Sequence, residues 1–390
     1  MTNFVTNIAG SGLSVAVPEL IQEYHKPESA VVQLLTYNFL FLSIGNIFQV
    51  PIAHEFSKRA SLLLPMALQA GALVCLLAAR CAQGFAGAAG ESIVREMAAN
   101  IFFLHQRAAM MSISPIDPLV NSLMMQYLPT SWRAFMWLCF ALAVADIGLM
   151  LILCPESNFR RPQLSLVDIM VPVRLDRELN LFWAVEAPLC LLIRPAVIWV
   201  ILLYGCALSP QIILMYIVPP SSFLPGPFDT DLVFFILACF GGGWLSDLIN
   251  SRMARRRANG QVRAEDRLLS LNAGLAIGPA GCILLPFACQ NHLHWTAIAL
   301  GLSMLLFGTV YTPNIAVTYL AYRHQRDGAQ CLLLVNMVNN LVSFMFLYEA
   351  VEWVQSQGYL QLYLVMLSLG VITIGAALPP YILHGKRHVE

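Results

Sequence analysis

Residues 133–154 read RAFMWLCFALAVADIGLMLILC, and this stretch decides the fold. Apart from Arg133 and Asp146 it carries no charge, and its apolar residues follow no one-sided period. A helix that is apolar all round belongs in an apolar solvent. At 1.5 Å per residue the stretch makes a helix of about 33 Å, enough to cross a hydrocarbon core of about 30 Å.

The same signal recurs in both directions. Apolar stretches lie at 2–21, 32–54, 61–77, 78–103, 108–128 and, after 133–154, at 193–217, 231–249, 268–289, 294–318, 329–351 and 359–383. The third is short of spanning length and the fifth is marginal. Apolar residues make up 58% of the 390-residue chain and charged residues 11%. Soluble domains carry about 25% charged residues, so this chain could not cover a water-exposed surface. The expectation is an all-α, multi-pass integral membrane protein with the lipid bilayer as its partner. A formal net charge of zero leaves no basic footprint for nucleic acid. The ten cysteines are scattered without a C-x-x-C pair and read as small buried hydrophobes. No basic n-region precedes the first stretch, so no cleaved signal peptide is expected.

Charge sets the orientation. Of the 22 Lys and Arg, 18 fall in alternate connections and the tail: Lys58, Arg59, Arg107, Arg160, Arg161, Arg174, Arg177, Arg194, Arg252, Arg255, Arg256, Arg257, Arg263, Arg267, Arg323, Arg326, Lys386 and Arg387. The intervening connections hold Lys26 and Arg133, and Arg80 and Arg95 lie inside a span. The positive-inside rule then places both termini in the cytoplasm, with an even number of crossings. Residues 61–103 contain no polar turn, yet one straight helix of that length would measure about 65 Å. A break is expected between Gly71 and Arg80, giving twelve crossings; ten result if 61–103 crosses once and 108–128 does not. The polar stretch 156–188 divides the chain into an N-terminal six-helix bundle (1–155), a cytoplasmic linker (156–190) and a C-terminal six-helix bundle (191–390).

Ionisable groups at membrane depth are costly and mark function by default. Arg80 and Glu91 are eleven positions apart and so share a helix face with Gln83, Gly84 and Gly87. Arg80 there can bind an anionic group or tune a carboxylate. The plainer alternative is a Glu91–Arg95 pair at i,i+4 with small-residue packing. Asp117, between two prolines, and Asp146 are candidate proton carriers; each could instead satisfy backbone or a neighbouring helix. Asn336 and Asn340 share a face, and Tyr311 and Asn314 sit beside Pro313; these four can line a substrate path or simply join helices. The acids Glu19, Glu23, Glu28, Asp229, Asp231 and Glu352 lie on the outer side and can steer a cation. His292 and His294 have no accompanying ligand cluster, so no metal or other cofactor is expected. No nucleophile elbow or H-E-x-x-H occurs, and an enzyme is not expected.

Several motifs carry a family resemblance. Gly45-Asn46, Pro51-Ile-Ala53 and Phe56-Ser57-Lys58-Arg59 resemble the G-N…P-x-A-x-x-F-G-R-R signature of the major facilitator superfamily. Arg80-Cys-Ala-Gln83-Gly84 is similar to its fourth-span R-x-x-Q-G, and Phe102-Phe103-Leu-His105-Gln106-Arg107 to its F-F-x-H-E-R. Pro155-Glu156-Ser157-Asn-Phe159-Arg160 resembles P-E-T-x-Y-R, and Gly243-Trp-Leu-Ser246-Asp247 with Arg256-Arg257-Ala-Asn259-Gly260 resembles G…S-D…R-R-N-G. The likeness is greatest to the fungal twelve-span drug:proton antiporters. It implies a monomeric plasma-membrane transporter of small organic molecules (drug-like compounds, organic cations or secondary metabolites), with protons as a coupling partner. It also implies that Gly45, Asn46, Pro51, Lys58, Arg59, Arg107, Asp247, Arg252 and Arg256 act as cytoplasmic gating motifs. The chain departs from the pattern at Ser57, Asn100, Gln106 and Asn339 and lacks the glycine-rich antiporter motif of span five. Those departures, with the short third and fifth spans, support a rival expectation: a membrane protein that does not transport, either a decayed transporter or a sensor.

Overall fold

A computed structural model describes residues 2–11, 13, 17–55, 58–72, 77–101, 132–153, 186, 189–217, 266–291, 293–323 and 328–387. Every regular element among them is helical. In chain order these are α1 (Thr2–Ser11), α2 (Val17–Tyr24), α3 (Glu28–Glu55), α4 (Lys58–Ala72), α5 (Leu77–Ile101) and α6 (Trp132–Leu153). A 3-10 turn at Leu191–Ile193 precedes α7 (Pro195–Ile217), α8 (Asp266–Gln290), α9 (Trp295–Arg323) and α10 (Gly328–Arg387). Among the described residues, four helical segments are long and apolar enough to cross a membrane: Glu28–Gln49, Trp132–Ile152, Thr296–Val317 and Gln330–Gly358. Trp132–Ile152 has the highest mean hydropathy of these, 2.3. Their outward residues are apolar too: Trp137, Ile152 and Met345 are all exposed, as lipid contact requires.

The break expected within 61–103 separates α4, which ends at Ala72, from α5, which begins at Leu77. The last two apolar stretches form one helix by hydrogen bonding, but Gly358, at φ 82° and ψ 166°, interrupts it between 329–351 and 359–383. Glycine alone adopts that conformation without strain. The first stretch departs from expectation. Instead of one span over 2–21, α1 stops at Ser11 and α2 starts at Val17. Apolarity runs across this gap and conceals it, whereas Gly10, Gly12 and Pro18 carry the helix-breaking chemistry. The 108–128 and 231–249 stretches lie outside the described residues. So does the 156–190 linker, apart from residues 186, 189 and 190.

The described helices fall into two compact units. The first holds α1 to α6 together with Asn336–Phe344 of α10; the second holds α7 to α9 and the rest of α10. In the first unit α5 packs chiefly on α3, and also on α4 and α1. Small residues permit this approach. A Cβ on Gly45 of α3 would stand 2.6 Å from the Phe85 carbonyl oxygen of α5, and one on Gly84 of α5 would strike the Asn38 carbonyl of α3. Gly87 and Gly90 press on Thr6 of α1. This small-residue packing is the usual means of holding helices together in lipid. In the second unit α8 and α9 cross equally closely through Gly278, Gly281, Gly301 and Gly308.

Gly84→Leu should therefore force α3 and α5 apart, because the obstructing atoms are backbone and cannot rotate away. A cost of about 3 kcal/mol or more is expected, the upper range for overpacking. Thermal unfolding in detergent measures it. Gly71→Leu, where an added Cβ meets nothing within 4 Å, should leave the midpoint unchanged.

At one end of the first unit the Trp132 amide donates to Glu19 at 3.2 Å, and its indole Nε1 donates to Glu23 at 2.6 Å. Arg133 pairs with the same Glu23. Two of the acids assigned to steering thus tie α2 to the start of α6, where carboxylates also suit the positive end of a helix.

Candidate functional site

The polar stripe of α5 is buried, and it divides into two centres. The first surrounds Glu91, which is 9% exposed. Asn340 Nδ2 of α10 donates to Glu91 Oε2 at 2.9 Å. Asn46 Nδ2 of α3 reaches the same oxygen at 3.5 Å. Ser92 donates in turn to Asn46 Oδ1, which fixes the orientation of that amide. Ser43, one turn before Asn46, donates to the Met337 carbonyl at 2.8 Å. The carboxylate thus gathers three helices whose residues lie up to 249 positions apart. Such a group can hold a cation, exchange its amide donors for a ligand's donors, or take up a proton and loosen its partners.

The second centre is Arg80, 1% exposed. Its Nη1 donates to Ala9 O at 3.4 Å, to Gly10 O at 3.3 Å and to Gln83 Oε1 at 3.1 Å. Ala9 and Gly10 belong to the last turn of α1, whose carbonyls have no helical partner because the helix stops. A guanidinium there satisfies those oxygens and complements the negative helix end. Arg80 is therefore the C-terminal cap of a half-helix, and Gln83 orients it.

The other residues singled out on sequence are dispersed. Asp146 of α6 is 1% exposed. Thr2 lies beside it, but the Thr2 hydroxyl donates to Met150 Sδ at 3.4 Å. Neither Asp146 oxygen meets a donor at hydrogen-bond geometry among the described residues. Tyr311 is fully buried in α9 and stacks on Phe307, ring centroids 5.0 Å apart. Asn314 falls in the same helix. Asn336, Asn339 and Asn340 are all buried in α10, and of these Asn340 reaches Glu91. Gly45, Asn46 and Pro51 lie in α3, and Lys58 and Arg59 open α4. Asp117, Arg107, Asp247, Arg252 and Arg256 lie outside the described residues. Among the described residues no three His, Cys, Asp or Glu side chains converge as metal ligands. The described cysteines are free thiols; Cys139, Cys282 and Cys331 are buried, whereas Cys190 is exposed.

Sequence reasoning grouped Asn46 with the gating motifs and did not find it, or Ser92, as a partner of Glu91. No periodicity signals a contact between α3, α5 and α10. An Asn in an otherwise apolar span was the available hint, because a buried amide needs a partner.

The sequence model of the Major Facilitator Superfamily matches residues 1–347. The chain belongs to this superfamily. Two fungal relatives are similar over part of the chain. An uncharacterised MFS-type transporter of Schizosaccharomyces pombe is 28% identical over 151 residues, 39% of this chain and 26% of the relative. Protein HOL1 of Saccharomyces cerevisiae is 30% identical over 159 residues, 40% of this chain and 26% of that protein. The matched stretch thus spans about a quarter of each curated relative. Among solved structures, the human organic anion transporter MFSD10 (TETRAN) superposes with a TM-score of 0.65 at 14% identity, covering 95% of this chain and 96% of that one. The proton:xylose symporter XylE, bound to 6-bromo-6-deoxy-D-glucose, gives 0.61 at 14% identity, covering 95% and 92%. These likenesses establish the superfamily fold and a multi-pass membrane protein.

Proposed function

We propose that the chain is a secondary transporter of small organic molecules, with organic cations and drug-like compounds as its substrate class. The observation that carries this reading is the buried Glu91 carboxylate, held by Asn46 and Asn340 from helices distant in sequence. An ionisable group inside a membrane protein is a functional site by default, and a substrate or proton can engage it. A carboxylate suits a cationic cargo. Arg80 would suit an anion, such as the cargo named for MFSD10, but it is committed to the α1 carbonyls. Transport proceeds by alternating access between two six-helix bundles, 1–155 and 191–390, joined by the 156–190 linker. Protons are the coupling ion and antiport the direction, by likeness to the fungal drug:proton branch. The protein works as a monomer in the plasma membrane with both termini cytoplasmic, and the α3–α4 motif and its counterpart around Asp247 act as gates.

One observation favours the rival reading. The third apolar stretch, 61–77, makes about 26 Å of helix, short of a bilayer core, and Pro65 lies within it. A short third span fits a membrane protein that no longer transports.

Flux separates the two. The purified full chain in proteoliposomes, under an imposed pH gradient, is offered a panel of radiolabelled organic cations. Gradient-dependent uptake of at least one is expected. No uptake of any, from protein shown to be folded and inserted, would leave the non-transporting reading standing.

A further inference from the structure

In the second unit, α7, α8, α9 and the limb of α10 after Gly358 enclose a cleft of about 60 Å³. Buried Leu203, Leu305 and Met366 form its floor, and half-buried Cys206, Gly278 and Gly370 form its rim. Its lining carries no charged side chain; the polar groups there are two threonine hydroxyls and two thiols. The space exceeds what one water needs, but the lining is mostly apolar, and a water there would hold few strong hydrogen bonds. Left empty, the cleft would forfeit dispersion contacts along its whole lining. Apolar matter is the occupant that removes this cost.

The position of the rim says where that matter comes from. Leu202, Ile283 and Val371 each adjoin a lining residue in sequence, and all three are exposed apolar side chains on helices of a membrane protein. The cleft therefore continues the lipid-contacting surface of α7, α8 and α10. We infer that it is an intramembrane site for the end of a bilayer lipid's acyl chain. Gly370 keeps it open: a Cβ there would meet nothing within 4 Å, whereas Gly278 is already pressed against Gly308.

The test uses the full chain in nanodiscs containing a phosphatidylcholine with a diazirine near the end of one acyl chain. After photolysis, labelled peptides are mapped. Labelling of the peptides bearing Cys206 and Cys282 should exceed, several-fold, labelling of the peptide bearing the exposed Ile152 of α6. Gly370→Leu fills the cleft without displacing backbone and should abolish that excess while leaving Ile152 labelling intact. Ala207→Phe, which fills from the α7 side, should do the same and covers the case in which the first variant fails to fold. Labelling spread evenly over the outward residues would overturn the proposal; it would mean that the cleft is closed to lipid by another stretch of this chain. An excess that survives both filling variants would also overturn it. So would one that a soluble organic cation displaces, because the occupant would then be a transported molecule and not a lipid.

Discussion

Glu91→Gln should lower gradient-driven uptake in proteoliposomes by roughly tenfold or more, equivalent to about 1.4 kcal/mol, while leaving the protein folded. The glutamine side chain keeps the size of glutamate, and its Oε1 can still accept from Asn340 and Asn46. What disappears is the charge. Hydrogen bonds to a charged group are worth about 1.5–3 kcal/mol and neutral ones about 0.5–1.5. The stability lost is therefore about 1 kcal/mol, too little to unfold a domain. The functional loss should be greater, because neither a cation nor a proton can be exchanged at a neutral amide. Glu91→Ala serves as the contrast. It leaves two buried amides without their acceptor, each at a cost of about 1–3 kcal/mol, so the thermal midpoint should fall as well. Undiminished uptake by Glu91→Gln would show that the carboxylate does no more than join helices.

How far the sequence foretold this arrangement depended on the range of the contact. Local composition located the long apolar spans, because a helix in lipid must be apolar wherever its surface lies. It also pointed to the α4–α5 break, since one straight helix over 61–103 would be about 65 Å long. The interruption at Gly358 fell in the gap between two apolar runs. The break after Ser11 escaped notice because hydropathy is blind to a gap that is itself apolar. The site was legible only in part. Helical spacing correctly put Arg80, Gln83 and Glu91 on one buried stripe, and an ionisable group in a span flagged itself. Spacing could not say that Asn340 of α10 meets Glu91, or that Asn46 lies against the carboxylate. Those facts belong to tertiary packing. Glu19 and Glu23 make the same point: their outer-side placement suggested steering, whereas Trp132 and Arg133 occupy them.

Arg80 provides the sharpest test of what the stripe does. If Arg80 caps α1, removing it damages the fold before it damages recognition. Arg80→Met keeps the length and apolar stem of the side chain but withdraws the donors from Ala9 O, Gly10 O and Gln83 Oε1. Buried acceptors left without donors cost about 1–3 kcal/mol each. The thermal midpoint should fall by several degrees or more, and the folded yield should fall with it. Arg80→Lys should recover part of the loss. An ammonium keeps the charge at the helix end but lacks the planar guanidinium whose Nη1 serves both carbonyls and Gln83. Amide exchange should report the damage locally, rising in α1 above the rest of the first unit, because the last turn of α1 is what the guanidinium secures. A substrate-binding arginine would behave differently. Arg80→Met would then unfold at the parent's temperature, leave α1 exchange unchanged and lose uptake alone. That pattern would return Arg80 to the transport path and reopen the case for an anionic cargo.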